Sequence, residues 1–365
     1  MDHHIPPSGA GCDARPVTQP AAADRDATPL HREAVVIDTH NDLLMLVTRH
    51  APERQAAYFR ERWLPQLRAG GVDVQVLPVF IDDDFRPEGA LRQTLRTIAA
   101  AERLAAGNPG EVTLCATGAE IDAALAAGRI ALVLALEGCE AVGTDIELFR
   151  IFARLGVRMA SFTHFGRTAL ADGSAEDGAG SRLTSAGVEA VHLLEELHVL
   201  VDVSHLSAAG TDHVLELASR PVVASHSSAG AVRPHHRNLS DERLKGIAAS
   251  GGVVGVNFFH GFIDPDQPTI GRLVDHIEHV ASVAGVDHVG LGPDFVKEVF
   301  EQLTPPILAG DEFEGMSGTK TIKGLEGPAG LPLVTAELIS RGWRDNDIRK
   351  VLGDNWLRVF RATLV

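Results

Sequence analysis

Short apolar runs rich in β-branched residues alternate along most of the chain with longer stretches in which apolar residues recur at helical spacing. This alternation is typical of parallel βαβ units, whose strands are buried on both faces. Eight apolar runs predict strands at residues 35–39, 72–80, 130–136, 157–163, 199–204, 221–225, 253–258 and 288–292. The gaps between successive runs are long enough for a right-handed crossover through a helix. The pattern therefore predicts an α/β fold of the (β/α)8 TIM-barrel class.

The stretches between the runs predict the helices of these units. They lie at residues 91–106, 145–155, 185–197, 207–218, 240–249 and 271–284, and two further helices at 334–341 and 346–360 close the fold. Several of them begin at a Ser or Asp that can cap the first turn and stop at a Gly. A doubly wound open sheet is the structural alternative, but it usually has fewer strands, and no GxGxxG motif follows the first strand.

Length and composition fit one large folded unit. The chain has 365 residues, 45% of them hydrophobic, with 36 glycines and 5% aromatic residues, which provides a sizeable core. Residues 1–30 lack a continuous apolar stretch, so we expect a flexible tail rather than a signal peptide. Residues 31–365 form the predicted single barrel domain, with a Gly-rich active-site loop at about 295–330.

Charge and cysteine usage narrow the function classes. The formal net charge of −16 disfavours binding to nucleic-acid phosphates or to anionic membrane surfaces. No run approaches the roughly 18 apolar residues of a membrane-spanning helix. The three cysteines, Cys12, Cys115 and Cys139, show no CxxC spacing, so neither a disulfide framework nor a thiolate zinc site is indicated. We expect a protein of a reducing, cytoplasmic compartment.

Polar residues follow six of the eight predicted strands. In a (β/α)8 barrel the functional groups gather at the carboxyl ends of the strands, so these positions carry the functional prediction. They are His40 and Asp42 after the first strand, Glu137 after the third, His164 after the fourth, His205 after the fifth, His226 after the sixth and Asp294 after the eighth. A single His at a strand end is more often structural, but this many imidazoles and carboxylates at one end of a barrel indicate a site.

The chemistry of these groups favours two metal ions. Imidazole nitrogens and carboxylate oxygens suit zinc, and a glutamate can bridge two ions. Many hydrolases of this barrel type bridge their metals with a carbamylated lysine, but no lysine ends an early strand here, so Glu137 takes that role. Because paired zinc ions lower the pKa of water from about 15.7 towards about 7, the expected reaction is hydrolysis.

Specific motifs surround these positions. They are Ile-Asp-Thr-His-Asn-Asp-Leu at 37–43, Leu-Glu-Gly at 136–138, Thr-His at 163–164, Leu-Val-Asp-Val-Ser-His at 200–205, Ala-Ser-His-Ser at 224–227, Arg-Asn at 237–238, Gly-Pro-Asp-Phe at 292–295 and Gly-Asp-Asn-Trp-Leu-Arg-Val-Phe at 353–360. With these motifs, the sequence from about residue 33 to 361 resembles the renal, or membrane, dipeptidase family of zinc peptidases in the amidohydrolase superfamily.

The resemblance implies a role for each position. It implies two Zn²⁺ ions per chain, with His40 and Asp42 on one, His205 and His226 on the other and Glu137 bridging them. It further implies that His164 contacts the scissile carbonyl side, that Arg237 binds the C-terminal carboxylate, and that Asp294 lies near the nucleophile and the substrate amine. Catalysis would then rest on Glu137, Asp294 and His164, and a homodimer is one assembly that the family forms.

Two points concern the walls of the predicted site. Spacing alone does not decide between Arg233 and Arg237 for the carboxylate, although Arg237 followed by Asn238 matches the family. The chain also departs from family patterns after Asp294, where Val296 and Lys297 replace Asp-Gly, and at Thr39, where glycine is frequent. These departures affect the shape of the pocket wall and hence the side-chain preference.

The sequence thus predicts a binuclear zinc dipeptidase that cleaves dipeptides with a free C-terminal carboxylate and tolerates a D-residue at that position. A related amidohydrolase that cleaves a lactam, an N-acyl amino acid or a biosynthetic intermediate is the alternative, because site walls decide the substrate. A non-catalytic metal-binding protein is the third interpretation, but such a protein usually loses a ligand or the equivalent of Asp294, and all are present.

Overall fold

Parallel strands form the centre of the protein in a computed structural model that describes residues 27–302 and 320–365. The strands in this part of the chain are β1 Val36–Asp38, β2 Val72–Phe80, β3 Val112–Leu114, β4 Ile130–Glu137, β5 Val157–Ser161, β6 Leu200–Asp202, β7 Val222–Val223, β8 Val254–Val256 and β9 Val289–Leu291. Each of the eight predicted runs coincides with one of them, and β4 extends one residue beyond its run, to Glu137. The additional strand β3 was missed because three residues carry no periodic signal.

Helices connect and cover the strands. They are α1 Thr28–Glu33, α2 Leu43–Val47, α3 Pro52–Arg62, α4 Leu64–Ala69, α5 Ala90–Ala106, α6 Gly118–Ala126, α7 Leu148–Arg154, α8 Ser185–Glu196, α9 Ala208–Leu217, α10 Asp241–Ala249, α11 His260–Ile263, α12 Ile270–Ala284, α13 Lys297–Gln302, α14 Pro332–Ser340, α15 Asp345–Arg349 and α16 Asn355–Thr363. A π-helical turn, Lys350–Asp354, joins α15 to α16, so the predicted helix at 346–360 is helical but not uniform. The hydroxyls of Ser207 and Ser240 cap α9 and α10 as the sequence predicts.

The strands curl into a parallel sheet. Six strands follow one another in the order β1-β2-β4-β5-β6-β7, β3 pairs with β4, and β8 pairs with β9 in a separate two-stranded sheet. A single parallel bridge between Ala224 and Val254 links the two sheets. The described residues therefore form no continuous ladder of eight strands. The reason is local, because β7 is two residues long and offers few ladder bonds beyond the bridge.

Alternation along β4 places the candidate site on the inner side of the curled sheet. Every residue of β4 is buried, as expected for a parallel strand covered on both faces. Ala131, Val133 and Ala135 pack in an inner cluster with Trp356 of α16, whereas the residues between them pack in the outer cluster with the surrounding helices. Glu137 continues the inner series, since side chains two apart on a strand share a face.

Thr39, after β1, forms hydrogen bonds with residues at the ends of β7 and β9. Its buried Oγ1 lies 2.6 Å from the carbonyl oxygen of Ser225 and 2.8 Å from that of Leu291, so the one hydroxyl proton is shared between two strand ends. Gly255 permits this approach, because a Cβ there would lie 2.8 Å from Thr39 Oγ1. Nearby, the Asp294 N–H donates to the His40 carbonyl at 2.9 Å. These contacts, rather than a ladder, bring β9 next to β1.

Two predicted segments lie partly outside the residues that the structure describes. Residues 1–26 of the predicted tail lie outside the described residues, and α1 begins at Thr28. Of the predicted loop at 295–330, residues 303–319 lie outside them as well, and α13 occupies Lys297–Gln302. Within the described ranges, no helix is long and apolar enough to cross a membrane. Cys115 and Cys139 are free and buried, and the compartment stays a prediction.

The Thr39 contact predicts a stability effect. Thr39→Val keeps the shape but leaves two buried carbonyl oxygens without this donor, which we expect to lower the free energy of unfolding by about 1–3 kcal/mol. Urea unfolding of the metal-free protein measures the change. Thr48→Val is the matched control, because the partly exposed Thr48 donates only to Met45 within one helix end, 3.2 Å away. Equal losses in both variants would contradict the role of Thr39.

Candidate metal centre

The polar residues predicted from the strand ends meet at one place. His40 and Asp42 follow β1, Glu137 ends β4, His164 follows β5, His205 follows β6, His226 follows β7 and Asp294 follows β9. Ligand atoms lie within 4.8 Å of one another in three overlapping sets: His40, Glu137 and His226; Glu137, His164 and His205; and His40, Asp42 and Asp294. All seven residues belong to one cluster at the carboxyl ends of the strands.

Glu137 is at the centre of this cluster. Its Oε1 lies 3.4 Å from His40 Nε2, 3.2 Å from His205 Nε2 and 3.6 Å from His226 Nε2. The Nε2 atoms of His205 and His226 are 2.8 Å apart. On the other side, Asp42 Oδ1 lies 3.9 Å from His40 Nε2. One oxygen of the glutamate therefore lies within 3.6 Å of three imidazoles, and Asp42 lies beyond His40.

The backbone is strained at two of these residues. His205 has φ of +68° and Asp294 has φ of +59°, both in the left-handed region that favours glycine. This conformation costs roughly 1–2 kcal/mol at a non-glycine residue. Gly138, which follows Glu137, has φ of +84° at no such cost. Such strain after β6 and β9 is typical of functional sites, because it aims side chains that an extended strand would direct elsewhere.

The carboxylates of the cluster oppose one another electrostatically. Burial and the negative charge of Glu137 raise the pKa of Asp42. Burial likewise raises the pKa of Asp294, although the positive charge of His40 and a hydrogen bond from Asn257 oppose the shift. For Glu137, burial would raise the pKa, but His40 and His205 hold it well below its usual range. The carboxylates therefore compete for positive charge.

The imidazoles divide into two classes. Burial lowers the pKa of His40, but the charges of Glu137, Asp42 and Asp294 outweigh burial and raise it to about 10. Burial lowers the pKa values of His205 and His226 well below the usual range, and that of His164 to about 3. Neutral imidazoles carry a lone pair, so His205 and His226 are ready to bind a cation.

The donor set fits metal ions. In the described part of the chain, the buried Nε2 of His40 has no hydrogen-bond partner, although it faces two carboxylates. A cation there would receive nitrogen and oxygen ligands of the kind that zinc prefers and would offset the repulsion between the carboxylates. His40, Asp42, Glu137, His205 and His226 could hold such ions, with Asp294 and His164 beside them.

Arg237 lies beside this centre, and Arg233 does not. The Arg237 side chain is buried, its Nη2 donates to the carbonyl oxygen of His226 at 3.0 Å, and its Nη1 lies 3.4 Å from Ser227 Oγ. Burial lowers its pKa to about 10, so it stays charged at neutral pH. Arg233 is partly exposed and donates to the carbonyl oxygen of Pro234. Of the two arginines between which spacing could not decide, Arg237 is therefore the one beside the cluster.

Sequence reasoning assigned no role to Asn257, a polar residue that contacts the cluster. Asn257 follows β8, and its Nδ2 donates to Asp294 Oδ2 at 2.9 Å. Its Oδ1 accepts the N–H of Phe259 at 2.6 Å, which fixes the amide orientation. The position after a strand end was the available signal, but an amide carries no charge and does not suggest a metal ligand. Asn257 orients the carboxylate of Asp294.

Comparisons with known proteins identify the family that this chain resembles. A family model described as membrane dipeptidase, peptidase family M19, matches residues 24–304 and 307–364. The dipeptidase verJ of Clonostachys rogersoniana is 30% identical over 350 residues, which are 91% of this chain and 85% of that protein.

Solved structures show the same likeness. A metallopeptidase from Rhodobacter sphaeroides, liganded with a phosphinate mimic of L-Ala-D-Ala, is 26% identical with a TM-score of 0.79, over 90% of this chain and 99% of that one. An amidohydrolase from Pseudomonas aeruginosa is 25% identical with a TM-score of 0.75, over 93% of this chain and 99% of that one.

The raised pKa of His40 predicts how metal affinity depends on pH. Without metal, His40 is protonated below about pH 10, so a cation must displace a proton to bind its Nε2. Affinity should therefore increase with pH through the neutral range, by about tenfold per pH unit for one released proton. Titration with chelator-buffered zinc measures this slope, and calorimetry in buffers of different ionisation enthalpy counts the protons.

His40→Asn provides the control, since this variant lacks the proton in question. We expect weaker zinc binding and a shallower slope in the variant. An affinity of the unchanged protein that is constant across the neutral range would contradict the assignment of His40 as a protonated ligand.

Proposed function

Because the chain belongs to the membrane dipeptidase family, peptidase family M19, we propose that this hydrolase is a binuclear zinc dipeptidase acting on dipeptides with a free C-terminal carboxylate. Family membership itself makes the protein a metallopeptidase. One observation carries the finer proposal: three imidazole Nε2 atoms surround one carboxylate oxygen, Glu137 Oε1, at 3.2–3.6 Å.

The donor groups of the cluster support our proposal of two zinc ions. His40 and Asp42 would hold one ion, His205 and His226 would hold the other, and Glu137 would be a ligand of both. When bound, such a pair supplies Lewis acidity and lowers the pKa of water towards about 7, which makes hydroxide available at neutral pH. Residues of the protein itself then bind the substrate, orient it and exchange protons with it.

Asp294 is the proposed proton carrier. Burial raises its pKa above that of an ordinary aspartate, so it accepts a proton more readily at neutral pH. Asn257 donates to Oδ2 at 2.9 Å, and Oδ1 is the oxygen that we propose takes a proton from attacking water and passes it to the departing amine. Acceptance and release by one carboxyl balance the proton over the hydrolysis of a peptide bond.

His164 and Arg237 are the proposed substrate contacts. With a pKa of about 3, His164 is neutral and offers a hydrogen bond to the scissile carbonyl side without adding charge. The Arg237 guanidinium lies between aromatic rings, 6.0 Å from the Phe165 centroid and 5.5 Å from that of Phe262. A buried guanidinium binds a carboxylate strongly because water competes little for either charge.

The stereochemical proposal rests on a relative. The Rhodobacter sphaeroides metallopeptidase binds a mimic of L-Ala-D-Ala, so we infer that this chain accepts L,D-dipeptides. A cavity of about 520 Å³ borders Arg237 and Ser227 and is lined by polar residues that include Asp177 and Thr211.

An amidohydrolase that acts on another acyl amino acid is the second candidate. The likeness to the Pseudomonas aeruginosa amidohydrolase supports it, as does the departure from the family pattern at Val296 and Lys297, which line a small pocket with Asp294.

We also propose that the two sheets are arcs of one (β/α)8 barrel, supported by the contacts of Thr39. The cytoplasmic location and the homodimer stay predictions.

A dipeptide panel tests the proposed activity. Protein loaded with zinc should release free amino acids from L,L- and L,D-dipeptides, and removal of metal by a chelator should abolish the release until zinc is restored. Liquid chromatography of the products measures both. Two bound zinc ions without turnover of any dipeptide would favour the second candidate, and turnover of N-acyl amino acids in the same assay would identify it.

Truncation of the proposed carboxylate contact should change substrate binding selectively. Arg237→Ala should raise KM for a free dipeptide by about 100-fold, since a charged hydrogen-bonded pair is lost, and should change KM for the C-terminally amidated dipeptide little. Steady-state kinetics on the two substrates measures the difference. Arg233→Ala is the matched control in the same loop and should leave both KM values unchanged. Equal losses on both substrates would rule out the contact.

A further inference from the structure

A chain of buried hydroxyl and carboxylate groups lies behind His226. Ser225 Oγ is 2.7 Å from His226 Nδ1 and 2.5 Å from Asp202 Oδ2. Asp202 ends β6, whereas Ser225 follows β7, so the contact joins two neighbouring strands. Asp202, Ser225 and His226 are all buried, with exposed fractions of 6%, 2% and 1%. Of these three residues, only His226 belongs to the proposed set of metal ligands.

The backbone holds these groups in register. Asp202 Oδ1 accepts the N–H groups of Ser204 and Ser225, each at 2.9 Å. The Ser204 Oγ accepts the N–H of His226 at 3.1 Å. The carboxylate and the imidazole are therefore fixed relative to one another from both strands, and Ser225 Oγ occupies the position between them.

The number of protons decides the direction of each hydrogen bond. In its carboxylate form Asp202 only accepts, and its Oδ2 is nearer to Ser225 Oγ than Ser204 Oγ, which is 3.2 Å away, so the single hydroxyl proton of Ser225 points to Asp202 Oδ2. The contact between Ser225 Oγ and His226 Nδ1 then requires the proton of the imidazole, which assigns the Nδ1–H tautomer to neutral His226. Nε2 is left with its lone pair, directed to the side where His205 Nε2 lies 2.8 Å away and Glu137 Oε1 lies 3.6 Å away.

We propose that Asp202, acting through Ser225, sets the tautomer and ring orientation of His226 and thereby the affinity of the adjacent metal position. The inference rests on the metal centre of the proposed function. Asp202 and Ser225 are positioning residues, since neither has a place among the donor atoms that face Glu137. Groups that hold the second nitrogen of a ligating imidazole typically change metal affinity by 10–100-fold.

Isosteric substitution of the carboxylate reverses the predicted proton direction. In Asp202→Asn the amide can accept the two backbone N–H groups and donate to Ser225 Oγ. The Ser225 proton then turns to His226 Nδ1 and places the imidazole proton on Nε2, where it blocks metal binding. Ser225→Ala removes the acceptor of the Nδ1 proton and leaves the tautomer undetermined. The two changes act on the same link, so their effects should not add.

The experiment combines nitrogen-15 NMR of the metal-free protein with zinc titration against a competing chelator. The unchanged protein should show His226 as the Nδ1–H tautomer. Ser225→Ala and Asp202→Asn should both shift the tautomer population and weaken zinc binding by about 10–100-fold. The zinc affinity of the double variant should equal that of the single variant with the lower zinc affinity. If Ser225→Ala does not fold, the isosteric Asp202→Asn carries the test.

Ser250→Ala is the matched control, because Ser250 Oγ accepts the N–H of Val222 at 3.0 Å at the opposite end of the same strand. It should change thermal stability without changing zinc affinity or the tautomer. An Nε2–H tautomer in the unchanged protein, affinities of both variants within about twofold of it, or additive losses in the double variant would overturn the proposal. Neither readout requires peptide hydrolysis, so a negative dipeptide panel would leave this result standing on its own.

Discussion

Three carboxylates buried in one small volume set the main constraint on this protein. Burial, together with the negative charge of Glu137, raises the pKa values of Asp42 and Asp294. Burial would also raise the pKa of Glu137, but the charge of His40 holds it well below its usual range. A fold cannot hold such a cluster as free anions without large cost. Cations relieve the repulsion, and the neutral imidazoles of His205 and His226 supply the remaining donor atoms. Metal binding should therefore also stabilise the surrounding fold.

The curled sheet brings the charged groups together through the alternation of side chains along its strands and through local backbone strain. The inner-facing series of β4 fills the core with apolar residues and then presents Glu137 at its end. Left-handed backbone at His205 and Asp294 redirects two further side chains towards the same point. Thr39 draws the end of β1 to those of β7 and β9, so residues from distant parts of the sequence share one site. Hydrogen bonds to Asp294 and His226 then fix the reactive groups individually.

Much of this site was predictable because the carboxyl ends of parallel strands meet at one edge. His40, Glu137 and Asp294 follow clear apolar runs, so periodicity alone placed them together. Arg237 could not be separated from Arg233 in this way, since both lie in an irregular loop whose course depends on tertiary contacts. The closure between β7 and β8 was also beyond the pattern, because one isolated backbone bridge, between Ala224 and Val254, takes the place of a longer ladder there. The short strand β3 carries too few residues for any periodic signal.

The most direct test of the account is the zinc stoichiometry of the purified protein. Equilibrium dialysis followed by metal analysis should find two zinc ions per chain in the unchanged protein and substantially less in Glu137→Gln, because the bridging oxygen charge is lost while the shape is kept. Thermal melting of the metal-free variant would show that it still folds. One zinc ion or none in the unchanged protein, or two in Glu137→Gln, would contradict a centre organised around the Glu137 carboxylate.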